Sequence, residues 1–359
     1  MYVAWRDLRF ARGRFVLIGT VVTLITLLVG FLSGLTAGLA DQNISAITGL
    51  SADRIVFSAG PGDGALSYAD SAVTLAEAEA WRERDGVERV SPIGISQLKL
   101  SSGDRSAAVA LFGVGPGAAA TGTDVPERAG HLVLSGTAAR DLAVRPGDSV
   151  DLAGAAFVVD ALSADTWYSH TPVVWVQLGD WQNVAAATGQ SDPYATVLAV
   201  TGAGTDFAAA DAATGTASAG VLPSLTALGA FRSEIGSLLL MVTMLFGISA
   251  LVVGAFFTVW SIQRQPDVAI LKALGASDRM LIRDALGQAA LVLVAGVGLG
   301  ITLTALLGTV AGTVLPFVLS PLTTLLPGAA LIVLGLAGAG FALRTVTTTD
   351  PLTALGSNR

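Results

Sequence analysis

Glu234 offers the clearest chemical opportunity in this chain. It stands in Phe231-Arg232-Ser233-Glu234-Ile235-Gly236, just before a charge-free run from Ile235 to Gln263. On a helix, Glu234, Leu238, Met241 and Leu245 follow at spacings of four, three and four. The carboxylate and the Met241 thioether then share a face about 10 Å apart, with Met244 flanking it. Two of only four Met sit here. A carboxylate and polarizable thioethers on an apolar wall suit a flat amphiphile with a metal centre, entering sideways from lipid. The plain alternative is an interfacial acid, in water or paired with Arg232 two positions back.

A second cluster, Trp167-Tyr168-Ser169-His170, sets a phenol beside an imidazole, and either group can ligate iron. Its plain alternative is an aromatic turn with His170 satisfied by a backbone partner. His131, the other histidine, opens a strand-like run and reads as structural. Other chemistries are excluded. Without cysteine there is no disulfide, thiolate nucleophile or iron-sulfur ligand. The two lysines, Lys99 and Lys272, stand outside any phosphate-binding loop, and G-x-S-x-G and H-E-x-x-H are missing. The residues therefore point away from an enzyme, a resident cofactor or a metal site of the chain's own, beyond ligands for a substrate's iron. If nucleotide hydrolysis drives this protein, another polypeptide performs it.

The elements that position these groups are membrane elements. Hydrophobic residues make up 52% of the 359 and charged ones 13%, about half the share usual in soluble domains. The charge is also segregated. Residues 41–230 carry 21 acids and 9 bases, a net −12, while the remainder is +5. An acidic block with no basic stripe excludes nucleic-acid binding.

Phe15 to Ala40 is free of charge over 26 residues, about 39 Å of helix against a hydrocarbon core of about 30 Å. That is also longer than a cleavable signal's apolar core, typically about 7–15 residues. Ala285 to Leu343, 59 charge-free residues, must fold back. Its break is Pro316 to Pro321, although Pro327-Gly328 could start the last helix later. The expected division is a cytoplasmic lead-in helix at 1–14, spans at 15–40, 235–262, 286–314 and 322–343, an outer domain at 41–230, a cytoplasmic loop at 263–284 and a cytoplasmic tail at 344–359. Arg6, Arg9, Arg12 and Arg14, with Arg264, Lys272, Arg279 and Arg283, place both termini and the 263–284 loop inside the plasma membrane and 41–230 outside.

The outer segment reads as α+β. Thr74-Leu75-Ala76-Glu77 is a capping box opening a helix through Trp81, and a second helix is expected at Ser135–Leu142. Strands are expected at Ile93–Leu100 and Ala107–Val114 around a turn at Ser101–Asp104, and at Val150–Leu152, Phe157–Leu162, Val173–Leu178 and Tyr194–Val200. Thr205–Gly220 reads as a small-residue stretch leading back to the membrane. Gly30, Gly34 and Gly38 recur at four-residue spacing, and Gly287, Gly296, Gly298 and Gly300 recur later, as close helix packing in membranes favours.

The loop sequence Arg264-Gln265-Pro266-Asp267-Val268-Ala269-Ile270-Leu271-Lys272-Ala273-Leu274-Gly275-Ala276-Ser277 closely resembles the R-x-x-E-I-A-I-L-K-A-L-G-A-S signature of permease subunits in the MacB/FtsX-type class of ABC transporters. Trp5-Arg6-Asp7-Leu8-Arg9 resembles that family's amphipathic lead-in, and Asp350-Pro351-Leu352-Thr353-Ala354-Leu355 its D-P-x-x-A-L ending. Ser135–Ala161 is similar to its extracytoplasmic domain. Pro266-Asp267 departs from the pattern, keeping the acid but shortening it. By periodicity alone, Val268, Leu271 and Leu274 share a face of a short helix, which could dock in a groove or lie on lipid.

The resemblance implies four transmembrane helices with an α+β extracytoplasmic domain inserted between the first and second. It also implies a permease homodimer with two ATPase subunits that bind the ATP. In the family the equivalent loop is the coupling segment, here carried by Arg264, Asp267, Ile270, Leu271, Lys272, Leu274 and Gly275. Motion then passes through the first two helices to the outer domain, without a central aqueous pore. The opening Ala4-Trp5-Arg6-Asp7-Leu8-Arg9-Phe10-Ala11 is most similar to the permease of Gram-positive heme exporters. Heme drawn from the outer leaflet is then the expected substrate, with Glu234, Met241, Met244, Arg232, Tyr168 and His170 as candidate contacts. Two alternatives stay open: a non-transporting mechanotransmitter that regulates a cell-wall hydrolase or sensor, and a permease extruding lipoprotein or peptide.

Overall fold

The computed structural model describes residues 12–59, 65–115, 125–191, 194–263, 270, 272 and 274–347. In chain order the helices are α1 (Arg12–Thr48), α2 (Leu75–Arg82), α3 (Gly136–Leu142), α4 (Leu178–Ala187), α5 (Phe207–Thr214), α6 (Val221–Ser224), α7 (Gly229–Gln263), α8 (Asp278–Ala311) and α9 (Pro321–Thr347). The strands are β1 (Arg54–Ser58), β2 (Val87–Ser102), β3 (Arg105–Val114), β4 (His131–Ser135), β5 (Ser149–Leu152), β6 (Ala155–Ser163), β7 (Trp167–Tyr168), β8 (Thr171–Gln177), β9 (Val197–Gly202) and β10 (Thr216–Gly220). The chain forms two compact units. One is helical, residues 1–38 with 237–359, and the other holds the sheet, residues 39–236.

In the helical unit, α1, α7, α8 and α9 are each long and apolar enough to cross a bilayer. Ile18, Val22 and Val29 of α1 pack with Val253, Phe257 and Trp260 of α7, Ala289, Leu293 and Val297 of α8 and Leu331 of α9. The glycine spacing has a concrete cause here. A Cβ on Gly30 would strike Thr304 of α8, one on Gly34 the Phe317 ring, and one on Gly38 the Pro316 carbonyl. The stripe on α1 thus seats both a helix and the loop between α8 and α9, where the Val318 N–H donates to the Gly34 carbonyl at 3.0 Å. Gly296 and Gly300 of α8 likewise lie against Val22 and Thr26, whereas Gly287 and Gly298 face open space.

In the sheet unit the strand order is β10-β1-β9-β2-β3-β8-β4-β6-β5. β2, 16 residues long, pairs with β9 through its first half and with β3 through its second. Its tip pairs again with β5, Leu100 opposite Leu152, so β2, β3, β8, β4, β6 and β5 close into a ring. β3 and β8 are buried on both faces, which explains their unbroken apolar runs. Leu111 and Val174 face a core built with α3 and α4, while Phe112 and Trp175 face one that also takes Ala46, Ile47 and Leu50 from the end of α1. α2, opened by the Thr74–Glu77 capping box, buries Trp81 against Val56, Leu198 and Val200.

Several boundaries differ from the sequence expectation. α1 runs eight residues past Ala40, to Thr48, because the polar Asp41-Gln42-Asn43 is followed by Ala46 and Ile47, which the sheet core buries. Counting charges marks where lipid-like sequence stops, not where a helix stops. For the same reason α7 starts at Gly229 and α8 at Asp278, capped by the Ser277 side chain, ahead of their charge-free runs. α9 begins at Pro321 and continues through Pro327 to Thr347. Thr205–Gly220 is not a plain return to the membrane. Asp206 caps α5, Gly215 ends it at φ +67°, and β10 then pairs with β1 along the sheet edge.

Candidate functional site

Three residues far apart in sequence meet within the sheet unit: Asn43 of α1, His170 of the β7–β8 turn and Glu234 in the first turns of α7. The imidazole is placed by an unusual hairpin. Trp167 pairs with Pro172 and Tyr168 with Thr171, leaving Ser169-His170 as a two-residue loop. Both residues have positive φ, +48° and +64°, the handedness such loops need and normally take from Asn-Gly. Left-handed backbone costs a non-glycine residue about 1 kcal/mol or more. The turn is held against α1 by bonds from the His170 and Ser169 N–H groups to the Gln42 and Asn43 carbonyls, at 2.9 and 3.0 Å. The Trp167 N–H adds a bond to the Ser45 hydroxyl at 2.9 Å.

Held there, His170 Nε2 lies 3.0 Å from Glu234 Oε1 and 3.1 Å from Oε2. A carboxylate can only accept, so Nε2 carries the proton. Asn43 Nδ2 donates to Oε2 at 3.3 Å. It also lies 3.4 Å from Nε2, where two donors cannot bond. Asn43 is 1% exposed, and among the described residues its Oδ1 has no hydrogen-bond partner. The His170 and Glu234 side chains are 33% and 41% exposed, so the carboxylate is held but remains reachable.

The other candidates are distributed differently. Arg232 is exposed on α7. Met241 and Met244 lie further along α7, in the helical unit, and both are exposed. Tyr168 departs from the expected pairing with His170, because it is the last paired residue of β7 and its ring joins the sheet core, whereas His170 belongs to the loop. Tyr168 is 6% exposed, with its ring edge-on to Phe112 at 5.5 Å and Tyr68 at 6.2 Å. Burial pushes its hydroxyl pKa up, which disfavours the phenolate that would bind iron. It also lines a cleft of about 550 Å³ with Tyr68, Asp70, Gln97 and Thr196. His131 has its Nδ1 3.0 Å from Asp160 Oδ1, between the parallel β4 and β6. Among the described residues no three His, Cys, Asp or Glu gather as a metal site.

Of the coupling segment, Arg264, Asp267 and Leu271 lie outside the described residues, as do the lead-in at 1–11 and the Asp350-Pro351 ending. Ile270, Lys272, Leu274 and Gly275 are described. The Leu274 N–H bonds the Ile270 carbonyl at 3.0 Å, and Gly275 follows at φ +93°. That is a helical turn closed by a left-handed glycine. Ile270 and Leu274 are both exposed, Leu274 by 80%.

Asn43 is the residue that sequence reasoning missed. Its only signal was a polar triplet at the end of an apolar helix.

Comparison with known proteins agrees with this architecture. Residues 239–351 match the family model of the FtsX-like permease C-terminal domain. Over 99% of both chains, 25% of residues are identical to a protein of Staphylococcus haemolyticus named "Putative hemin transport system permease protein HrtB". An uncharacterised ABC transporter permease of Mycobacterium tuberculosis is also 25% identical over 99% of both chains. Among solved structures, the periplasmic region of MacB from Actinobacillus actinomycetemcomitans aligns with 49% of this chain and 92% of its own at 16% identity, with a TM-score of 0.37. Four helices among the described residues are long and apolar enough to cross a membrane, and the FtsX-like domain covers the last two of them. With an FtsX-like permease C-terminal domain matched over 239–351 and full-length likeness to curated permeases, the chain is similar to permease subunits of ABC transporters.

Proposed function

We propose that this permease works as a homodimer with two ATPase subunits and expels a hydrophobic small molecule, heme, drawn from the outer leaflet. The observation that carries the reading is Glu234, a reachable carboxylate in the first turns of an apolar spanning helix. Carboxylate oxygen is a ligand for ferric iron, and the apolar run beginning at Ile235 suits a porphyrin face. The full-length likeness to a protein whose name proposes hemin transport supports the same substrate.

The chain's own part is to bind and to move. Leu274 and Ile270 present an apolar ridge to the ATPase subunit. α1 and α7 carry the motion, since each is one continuous helix contributing residues to both compact units. No step needs a water-filled pore. ATP binding below shifts the helices, and the bound amphiphile is released outside.

The test is ATP hydrolysis by the complex reconstituted with its ATPase. Hemin stimulates the wild-type complex, and Glu234→Ala, still inserted and assembled, loses the stimulation. Equal stimulation in both removes Glu234 from the substrate site.

A further inference from the structure

We infer that His170 is not a substrate ligand but a clasp, competing with the substrate for the Glu234 carboxylate. The inference rests on the substrate reading above and assigns His170 and Asn43 a positioning role within it. Three observations carry it. First, the imidazole nitrogen that reaches the site, Nε2, is the one that meets both carboxylate oxygens, at 3.0 and 3.1 Å. Facing an acceptor it carries a proton, so its lone pair is not available to iron.

Second, the imidazole has little freedom to swing aside and ligate from a new position. Its turn is bound to the end of α1 through Ser169, His170 and Trp167, and the loop holds left-handed backbone at two non-glycine residues to keep that shape. Third, Asn43 adds a second donor to Oε2 from a site 1% exposed, at the expense of an Oδ1 unpartnered among the described residues. Strain and an unsatisfied carbonyl are both spent on holding one carboxylate.

A carboxylate engaged by two donors is a poorer iron ligand than a free one. Substrate therefore takes Glu234 only as His170 lets go. Because Asn43, His170 and Glu234 come from α1, the β7–β8 turn and α7, letting go frees the start of α7 from the hairpin and the end of α1. Substrate binding and release of the hairpin are then one event.

The test uses the full chain in detergent. Without hemin, melting temperatures of wild type, His170→Ala, Glu234→Gln and the double variant form a cycle. The two single losses are expected to exceed the loss in the double variant when added. With hemin, followed by its absorption band, His170→Ala binds several-fold tighter than wild type with the band position unchanged. His170→Gln, which keeps an N–H donor, binds within about twofold of wild type. A merely structural histidine gives no gain in affinity and no rescue by glutamine. Loss of hemin binding or a shifted band in His170→Ala makes the imidazole a ligand and overturns the clasp, as does additive melting. A wild-type chain with no hemin band overturns the substrate reading and the competition with it, while the cycle alone still reports whether the pair forms.

Discussion

Ser169 and His170 occupy turn positions that favour Asn and Gly, which makes the turn testable one residue at a time. Ser169→Gly removes the steric cost at φ +48°, partly offset by glycine's entropy in the unfolded chain. A gain of about 0.5 kcal/mol is expected, read as a raised melting temperature with hemin binding unchanged; a lower melting temperature would show that the Ser169 side chain is needed. Residue type alone singled out Glu234 and His170 as candidates, but not their pairing with each other. Sixty-four residues separate them, and nothing local records a contact made by a hairpin folding back onto two helix ends. Tyr168 shows the converse limit. Adjacency in sequence suggested a shared site, and hairpin geometry sends the phenol into the core instead.

At the scale of elements, strands with turn punctuation were readable because their periodicity is local. β2 and β3 meet around Ser101–Asp104 as expected. β10 was invisible, since Thr-Ala-Ser-Ala-Gly has no strand-like pattern and is ordered by its pairing with β1. The glycine stripe on α1 gives a graded prediction. Gly34→Ala pushes on a phenylalanine ring, which can shift, whereas Gly38→Ala meets the backbone of Pro316. Overpacking of this kind costs about 1–3 kcal/mol, so both variants should melt below wild type in detergent and Gly38→Ala should melt lowest. The reverse order would mean the α8–α9 loop yields more easily than Phe317. Leu274, exposed beside the Gly275 cap, belongs to the same scale. Leu274→Asp should insert normally yet fail to copurify with the ATPase subunit, and retained copurification would place the docking ridge elsewhere.

For the whole molecule, the segregation of charge follows the division into two compact units. The acidic 41–230 block corresponds to the sheet unit. Because the chain has no cysteine, single cysteines report its sidedness cleanly. Asp104→Cys, in an exposed turn of that unit, should react with a membrane-impermeant maleimide on intact cells, and Leu274→Cys only after lysis. On the proposed function, the Glu234 carboxylate in the first turns of α7 captures heme for export. Titration of the purified chain with hemin tests it most directly. A saturable, shifted absorption band in the wild type, lost in Glu234→Gln while the variant remains folded, is the predicted result. The same band at the same affinity in both proteins would contradict it.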